Sequence, residues 1–235
     1  MKWFPTSVVL SASLVAGYAM AEAPNFAHLS TTGYGEVVAK PDMAIFTVKV
    51  VDSTMTAESA KQSVDTTVDA FLAALTKAGV DKQQITSTNL YLAPQYHYPK
   101  NEKPDLVGYR ASRSVTVKVA NLANLNAYLD LALNAGINQV DNIQLLVSNE
   151  AEYQQQARLE AIKDAQQKAG FLAKGFGKSL GEVWQINYNQ PNVQPVLMRT
   201  MMMDAKSESN SYQDSSLIIR DQVDVTYKLD QVLAK

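Results

Sequence analysis

The sequence predicts an α/β (α+β) protein: two related strand–helix–strand modules whose mainly antiparallel sheets are covered by helices in a two-layer sandwich. Three observations predict it. Ala44, Phe46, Val48 and Val50 alternate with Ile45, Thr47 and Lys49, as do Val115, Val117 and Val119 with Ser114, Thr116 and Lys118. Such one-sided strands belong to antiparallel sheets, because a buried parallel strand is apolar on both faces. Apolar residues elsewhere recur at three and four, the period of an amphipathic helix. A helix followed by Ala-Gly-Val at 78–80 reappears as a helix followed by Ala-Gly-Ile at 135–137. This echo suggests duplicated modules, with lobes of about 28–104 and 105–231 or an interleaved version of them.

Along the chain, Thr32 to Val38 reads as a strand, stopped by Lys40-Pro41-Asp42 because proline cannot donate to a ladder. The alternating 44–50 strand follows. Ala57, Ala60, Val64, Val68, Phe71 and Leu75 form a helical stripe that Gly79 closes from a C′ position. Ile85 to Tyr98 is extended up to Pro99, and Leu106 to Val119 is a half-buried strand. Leu122 to Ala135 makes a short helix ended by Gly136, and Ile143 to Val147 another strand. Asn149 with Glu152 resembles a capping box for a helix running to about Lys174. That helix lines up Tyr153, Ala157, Ala161, Ala165 and Ala169, small enough to sit close on a sheet. Strands at Gly181–Asn189 and Leu217–Leu229 complete the set. Residues 190–216, with Pro191, Pro195 and a polar tract at 207–211, read as an irregular loop, partly disordered.

The N-terminus carries Lys2, an apolar run over 8–17 and Ala19-Met20-Ala21, the layout of a secretory signal peptide cut after Ala21. The run is too short to span a bilayer. A periplasmic, exported protein without a transmembrane span is expected. Of 21 basic residues only Lys2 lies in the leader, so the mature chain carries 20 against 23 acidic ones. That balance offers no footprint for nucleic acid. With no cysteine, the chain holds neither a disulfide nor a lipidated N-terminus.

The sequence carries little visible catalytic apparatus, and no enzyme, catalytic residue or cofactor is expected. Only His28 and His97 could serve a Ser-His-Asp arrangement, and Gly-x-Ser-x-Gly is absent. Gly33-Tyr34-Gly35 lacks the third glycine and the following helix of a phosphate loop; a bulge or close backbone approach explains it better. Asp221 and Asp224 fall on opposite faces of the last strand, on its wet side or edges, and Arg110 and Arg113 have the same geometry. The chemically suggestive feature is Met198-Arg199-Thr200-Met201-Met202-Met203. Met198, Met201, Met202 and Met203 are candidate soft ligands for Cu(I) or a sacrificial oxidant sink. Packing at an interface or in the core is the simpler role.

Four motifs in order complete the reading: Gly35-Glu36-Val37-Val38-Ala39-Lys40-Pro41-Asp42; Gly108-Tyr109-Arg110-Ala111; Arg158 with Ala161, Ala165 and Ala169; and Asp221-Gln222-Val223-Asp224-Val225. With the signal peptide and the chain size, they resemble the SIMPL-domain family, in particular its YggE-like periplasmic oxidative-stress defence proteins, a group with a roughly 26-kilodalton periplasmic antigen. The resemblance covers about residues 28–231. It implies a two-lobed α/β fold, homo-oligomeric assembly and a role against oxidative damage in the envelope. The family offers no accepted catalytic residues to carry over. Gly35, Pro41, Asp42, Gly108, Tyr109, Arg110, Arg158 and Asp221 match its motifs, and their physical reading is structural: turn glycines, a strand-initiating Pro-Asp, and charges able to pair at module junctions. The alternative is a ligand- or copper-binding protein that uses the methionine-rich loop.

Overall fold

The computed structural model describes residues 25–100, 103–189, 196–199 and 215–231. The expected leader with its cleavage site, and Met201, Met202 and Met203, lie outside the described residues. The elements are β1 (His28–Ala39), β2 (Met43–Thr54), α1 (Ala57–Lys77), β3 (Ile85–Ser87), β4 (Tyr91–His97), β5 (Asp105–Val119), α2 (Leu125–Asn134), β6 (Gln139–Leu146), α3 (Glu150–Gly175), β7 (Lys178–Asn187), β8 (Val196–Arg199) and β9 (Ser215–Gln231). Every strand pairing is antiparallel. The α+β sandwich expected from the one-sided strands is the fold observed.

The division between lobes differs from a cut at 104/105. One sheet runs β3-β5-β2-β6 with β4 also on β5; the other runs β1-β9-β7 with β8 also on β9. Residues 43–147 therefore build one lobe, while β1 crosses to join α3 and the C-terminal strands in the other. The echoed Ala-Gly-Val and Ala-Gly-Ile both fall inside the five-stranded lobe. There β2-α1-β3 and β5-α2-β6 are two split crossovers, each straddling one strand of the other, and Gly79 (φ +86) and Gly136 (φ +98) end their helices alike. The duplicated module is real in form, but both copies share one sheet.

The five-stranded lobe holds the larger core. Ala60, Val64, Val68, Phe71 and Leu75 of α1 bury against Phe46, Val48, Val115 and Val117. Thr56 caps α1 by accepting from the Ser59 amide at 3.2 Å. The capping box expected before α3 is not formed. The Asn149 side chain donates instead to the Glu152 carboxylate at 2.9 Å, so this helix begins without a side-chain cap on its amides. Within the span read as an irregular loop, Val196–Arg199 forms β8 on β9, and Ser215 already begins β9. A short apolar run after a proline found the ladder groups that β9 leaves open beyond the end of β7.

The smaller lobe depends on close approach. Ala157, Ala161, Ala165, Ala169 and Ala173 of α3 are all buried. Beneath them pass Gly33 and Gly35 in an unbroken β1–β9 register, so the glycines mark contact rather than a bulge. A Cβ on Gly33 would stand 2.0 Å from the Ala161 carbonyl oxygen, and one on Gly35 1.8 Å from that of Ala157. Backbone atoms cannot yield as a side chain does. Gly35→Ala should therefore lower stability by about 3 kcal/mol or more, the upper range for overpacking. Gly175→Ala, with nothing within 4 Å of the added carbon, should change it little. Urea unfolding of the two variants checks the contrast.

Candidate functional site

Three of the motif regions converge where the lobes meet or near the buried side of β9. Asp221 pairs across with Gly35, and its parity with Val223, Val225 and Tyr227 turns it inward. It does not lie on the wet side or edge expected for it: its side chain is 0% exposed. Asp224, one face over, is exposed and accepts from Thr32 at 2.6 Å. A buried carboxylate needs partners. Arg158 supplies its Nε at 3.2 Å and Tyr188 its hydroxyl at 3.0 Å, both to the same oxygen; the other oxygen accepts from the Gln222 amide at 2.8 Å. Arg158 Nε also donates to the Tyr188 hydroxyl at 2.8 Å, and its guanidinium lies 4.8 Å from the ring centroid. Burial, then the Asp221 carboxylate, push the Tyr188 phenol above the usual tyrosine range, with Arg158 opposing. Burial alone raises Tyr227. Tyr188 was missed in the sequence, although strand parity already made Asp221 an inward acid in want of donors. The cluster is a closed set of matched charges that locks α3 to β9 and to the chain after β7.

Asp42 ties the two crossings between lobes. Its carboxylate accepts from the Ser148 amide at 2.7 Å and the Ser148 hydroxyl at 2.5 Å. Its backbone bonds Leu146 and Leu122. Pro41, between β1 and β2, ends one ladder before the next begins. In the second motif, Gly108 has φ +151, and a Cβ there would lie 2.7 Å from the Thr54 carbonyl oxygen. A side chain is excluded where β5 passes the end of β2. Tyr109 packs partly buried on the larger core. Arg110 points to the opposite face and makes no ion pair or hydrogen bond among the described residues, unlike Arg113, which bonds Asp65 at 3.3 Å and the Thr88 carbonyl at 3.1 Å. The two arginines differ in role because alternation sends them to opposite faces.

The histidines stand apart on different sheets. His28 bonds the Phe26 carbonyl at 3.0 Å, and His97 ends β4 opposite Asp105. Among the described residues neither meets a serine in hydrogen-bond geometry. Among the described residues no group of three or more His, Asp or Glu side chains is placed to hold a metal ion. The backbone of Met198 pairs with Ser216 in the β8–β9 ladder. Among the described residues no helix is long and apolar enough to cross a membrane.

Gly35, Asp42, Gly108, Arg158 and Asp221 thus occupy positions that only particular residue types can fill. The same chain matches the SIMPL family profile, described as a protein of unknown function (DUF541), over residues 29–227. It belongs to the SIMPL family. It is 36% identical over 223 residues to "Uncharacterized protein YggE" of Edwardsiella ictaluri, covering 93% of each chain. It is 36% identical over 214 residues to the protein of that name from Escherichia coli K12, covering 90% of this chain and 87% of that one. With the "26 kDa periplasmic immunogenic protein" of Brucella melitensis it shares 32% identity over 192 residues, 78% of this chain and 77% of the relative.

In this SIMPL chain the Arg158–Tyr188–Asp221 cluster should behave as structure. Arg158→Met strands a buried carboxylate and should cost about 2–3 kcal/mol, the low end for a broken buried pair, because Arg158 is itself 36% exposed. Tyr188→Phe should cost about 1 kcal/mol. The sign of the pH effect follows from the raised phenol. The folded state holds that proton more tightly than the unfolded chain, so the stabilisation is full below about pH 10 and is lost as pH climbs through the raised value. Unfolding midpoints taken on the alkaline side should fall less steeply for Tyr188→Phe than for the parent.

Proposed function

We propose that this SIMPL chain is exported to the periplasm, loses its leader after Ala21, assembles with copies of itself and supports envelope defence against oxidants without catalysing a reaction. The leader supports export, as does the periplasmic name of the Brucella relative. The separated histidines support a non-enzymatic role.

The observation that carries assembly is a contrast between two edges of one sheet. On β1 the outer edge is closed by α3: the Tyr34 amide donates to Asp164 at 2.8 Å, and Lys168 donates to the Thr32 carbonyl at 3.3 Å. On β7 the far edge has no partner strand among the described residues. There Val183, Trp184 and Ile186 are 47, 42 and 60% exposed. An unpaired edge carrying β-branched and aromatic side chains is a template for another strand, and a second copy of this chain brings the same edge.

Native mass spectrometry of protein purified from the periplasm should show a chain beginning at Glu22 in a homo-oligomer. Ile186→Lys should leave the far-ultraviolet spectrum intact while shifting the mass to the monomer. An unchanged oligomer would remove this edge from the interface, and a monomeric parent would end the assembly reading. Cells lacking the protein should survive peroxide less well than cells carrying it; equal survival would end the defence reading.

A further inference from the structure

Alternation in β2 and β5 gives the five-stranded sheet two unlike faces. Phe46, Val48, Val115 and Val117 face the helices, while Thr47, Lys49, Arg110, Ser112, Ser114 and Thr116 face the other way. On that second face lies an open groove of about 520 Å³. Ser112 and Ser114 of β5 lie along it, Tyr91 and Gln95 of β4 flank it, and Asn89 stands near one end. Lys49 pairs across from Ser114 and Tyr91 across from Ser112, with Arg110 two residues further along. The two cations therefore mark opposite ends, with the aromatic ring between them. Arg110 and Ser114 are four strand residues apart, roughly 13 Å.

From this arrangement we propose that the groove binds an acidic sugar, one bearing carboxylate or phosphate groups, through Arg110 and Lys49. Neither cation has a hydrogen bond or ion pair among the described residues, and no carboxylate lines the groove. Arg113 also reaches the rim, but Asp65 and the Thr88 carbonyl already hold it. In a chain with net charge −2, a groove lined by cations alone runs against the general field and concentrates anions locally. Two cations at opposite ends of the groove, unpaired among the described residues, give a ligand with separated acidic groups its strongest contacts.

The rest of the lining selects the kind of anion. The groove is on a sheet face, so an extended peptide finds no backbone ladder to join there. What the face offers is hydroxyl and amide side chains from Ser112, Ser114, Asn89 and Gln95, and the Tyr91 ring, 62% exposed. Side-chain donors around one open aromatic ring suit a polyhydroxylated ring better than an aliphatic acid. A single platform, in a chain with excess acid, is poor equipment for single-stranded nucleic acid, which is held by successive stacked bases over a basic track. This site is independent of the β7 edge, which lies on the other sheet.

Calorimetric titration of the mature protein tests the proposal with four probes: trigalacturonate, glucose 1,6-bisphosphate, neutral maltotriose and a short oligothymidylate. Binding of either acidic sugar, with maltotriose at least tenfold weaker, is expected, and which acidic probe binds distinguishes carboxylate from phosphate. Arg110→Gln and Lys49→Gln should each weaken that binding at least tenfold with an unchanged unfolding midpoint. Amide shifts induced in the unmutated protein should centre on residues 49, 91 and 110–114, which keeps the test open should a variant fold poorly. No binding of either acidic sugar, equal binding of maltotriose, shifts elsewhere, or binding of the oligothymidylate alone would each overturn it.

Discussion

The contact between α3 and β1 is the constraint on which the rest of the structure depends. Helix and strand approach so closely that carbonyl oxygens of Ala157 and Ala161 fill the space a side chain on Gly35 or Gly33 would need. Close packing of this kind is bought with two backbone positions that accept no Cβ and a helix face that offers nothing larger than methyl groups. It fixes β1 against elements more than a hundred residues later in the chain. Once β1 is committed there, the five-stranded lobe must be inserted between β1 and α3, and the chain crosses between lobes twice. The same proximity lets Asp164 and Lys168 reach around the strand and close its edge.

Two polar clusters stand where this insertion shapes the chain, an exposed one at Asp42 and Ser148 and a buried one at Asp221. Asp42 and Ser148 lie on the two crossings and bond each other through both carboxylate oxygens, so outgoing and returning segments are held side by side. Asp221 pairs directly with Gly35 at the tightest part of the helix–strand contact, where only an acid already provided with a guanidinium, a phenol and an amide is tolerable. These clusters resemble active-site chemistry in composition. In the buried one, both oxygens of Asp221 are held by donors of the fold itself.

Among the described residues the β7 edge lacks a strand, and the outer face of the β2–β5 pair carries cations without counter-charges. An edge speaks to another backbone, whereas a face speaks to side-chain-sized chemistry. The two surfaces suit different classes of partner and lie on separate sheets. The relatives from Edwardsiella ictaluri and Escherichia coli K12 match 93% and 90% of this chain.

Periodicity in the sequence determined most elements and their faces, because alternation and helical spacing are local properties that side chains impose on their own segment. The alanine stripe and the paired glycines even signalled close backbone approach. Strand partnership was not legible. Nothing local distinguishes a β1 that pairs β9 from one that pairs β2, and the echoed helix ends at Gly79 and Gly136 suggested one module per half when both belong to one sheet. Tertiary structure alone decided that Tyr188 meets Asp221, that Arg113 rather than Arg110 bonds Asp65, and which edge of the smaller sheet has no partner strand among the described residues. Those outcomes depend on segments distant in sequence arriving at one place, and pairing energies across such distances leave no periodic mark on either strand.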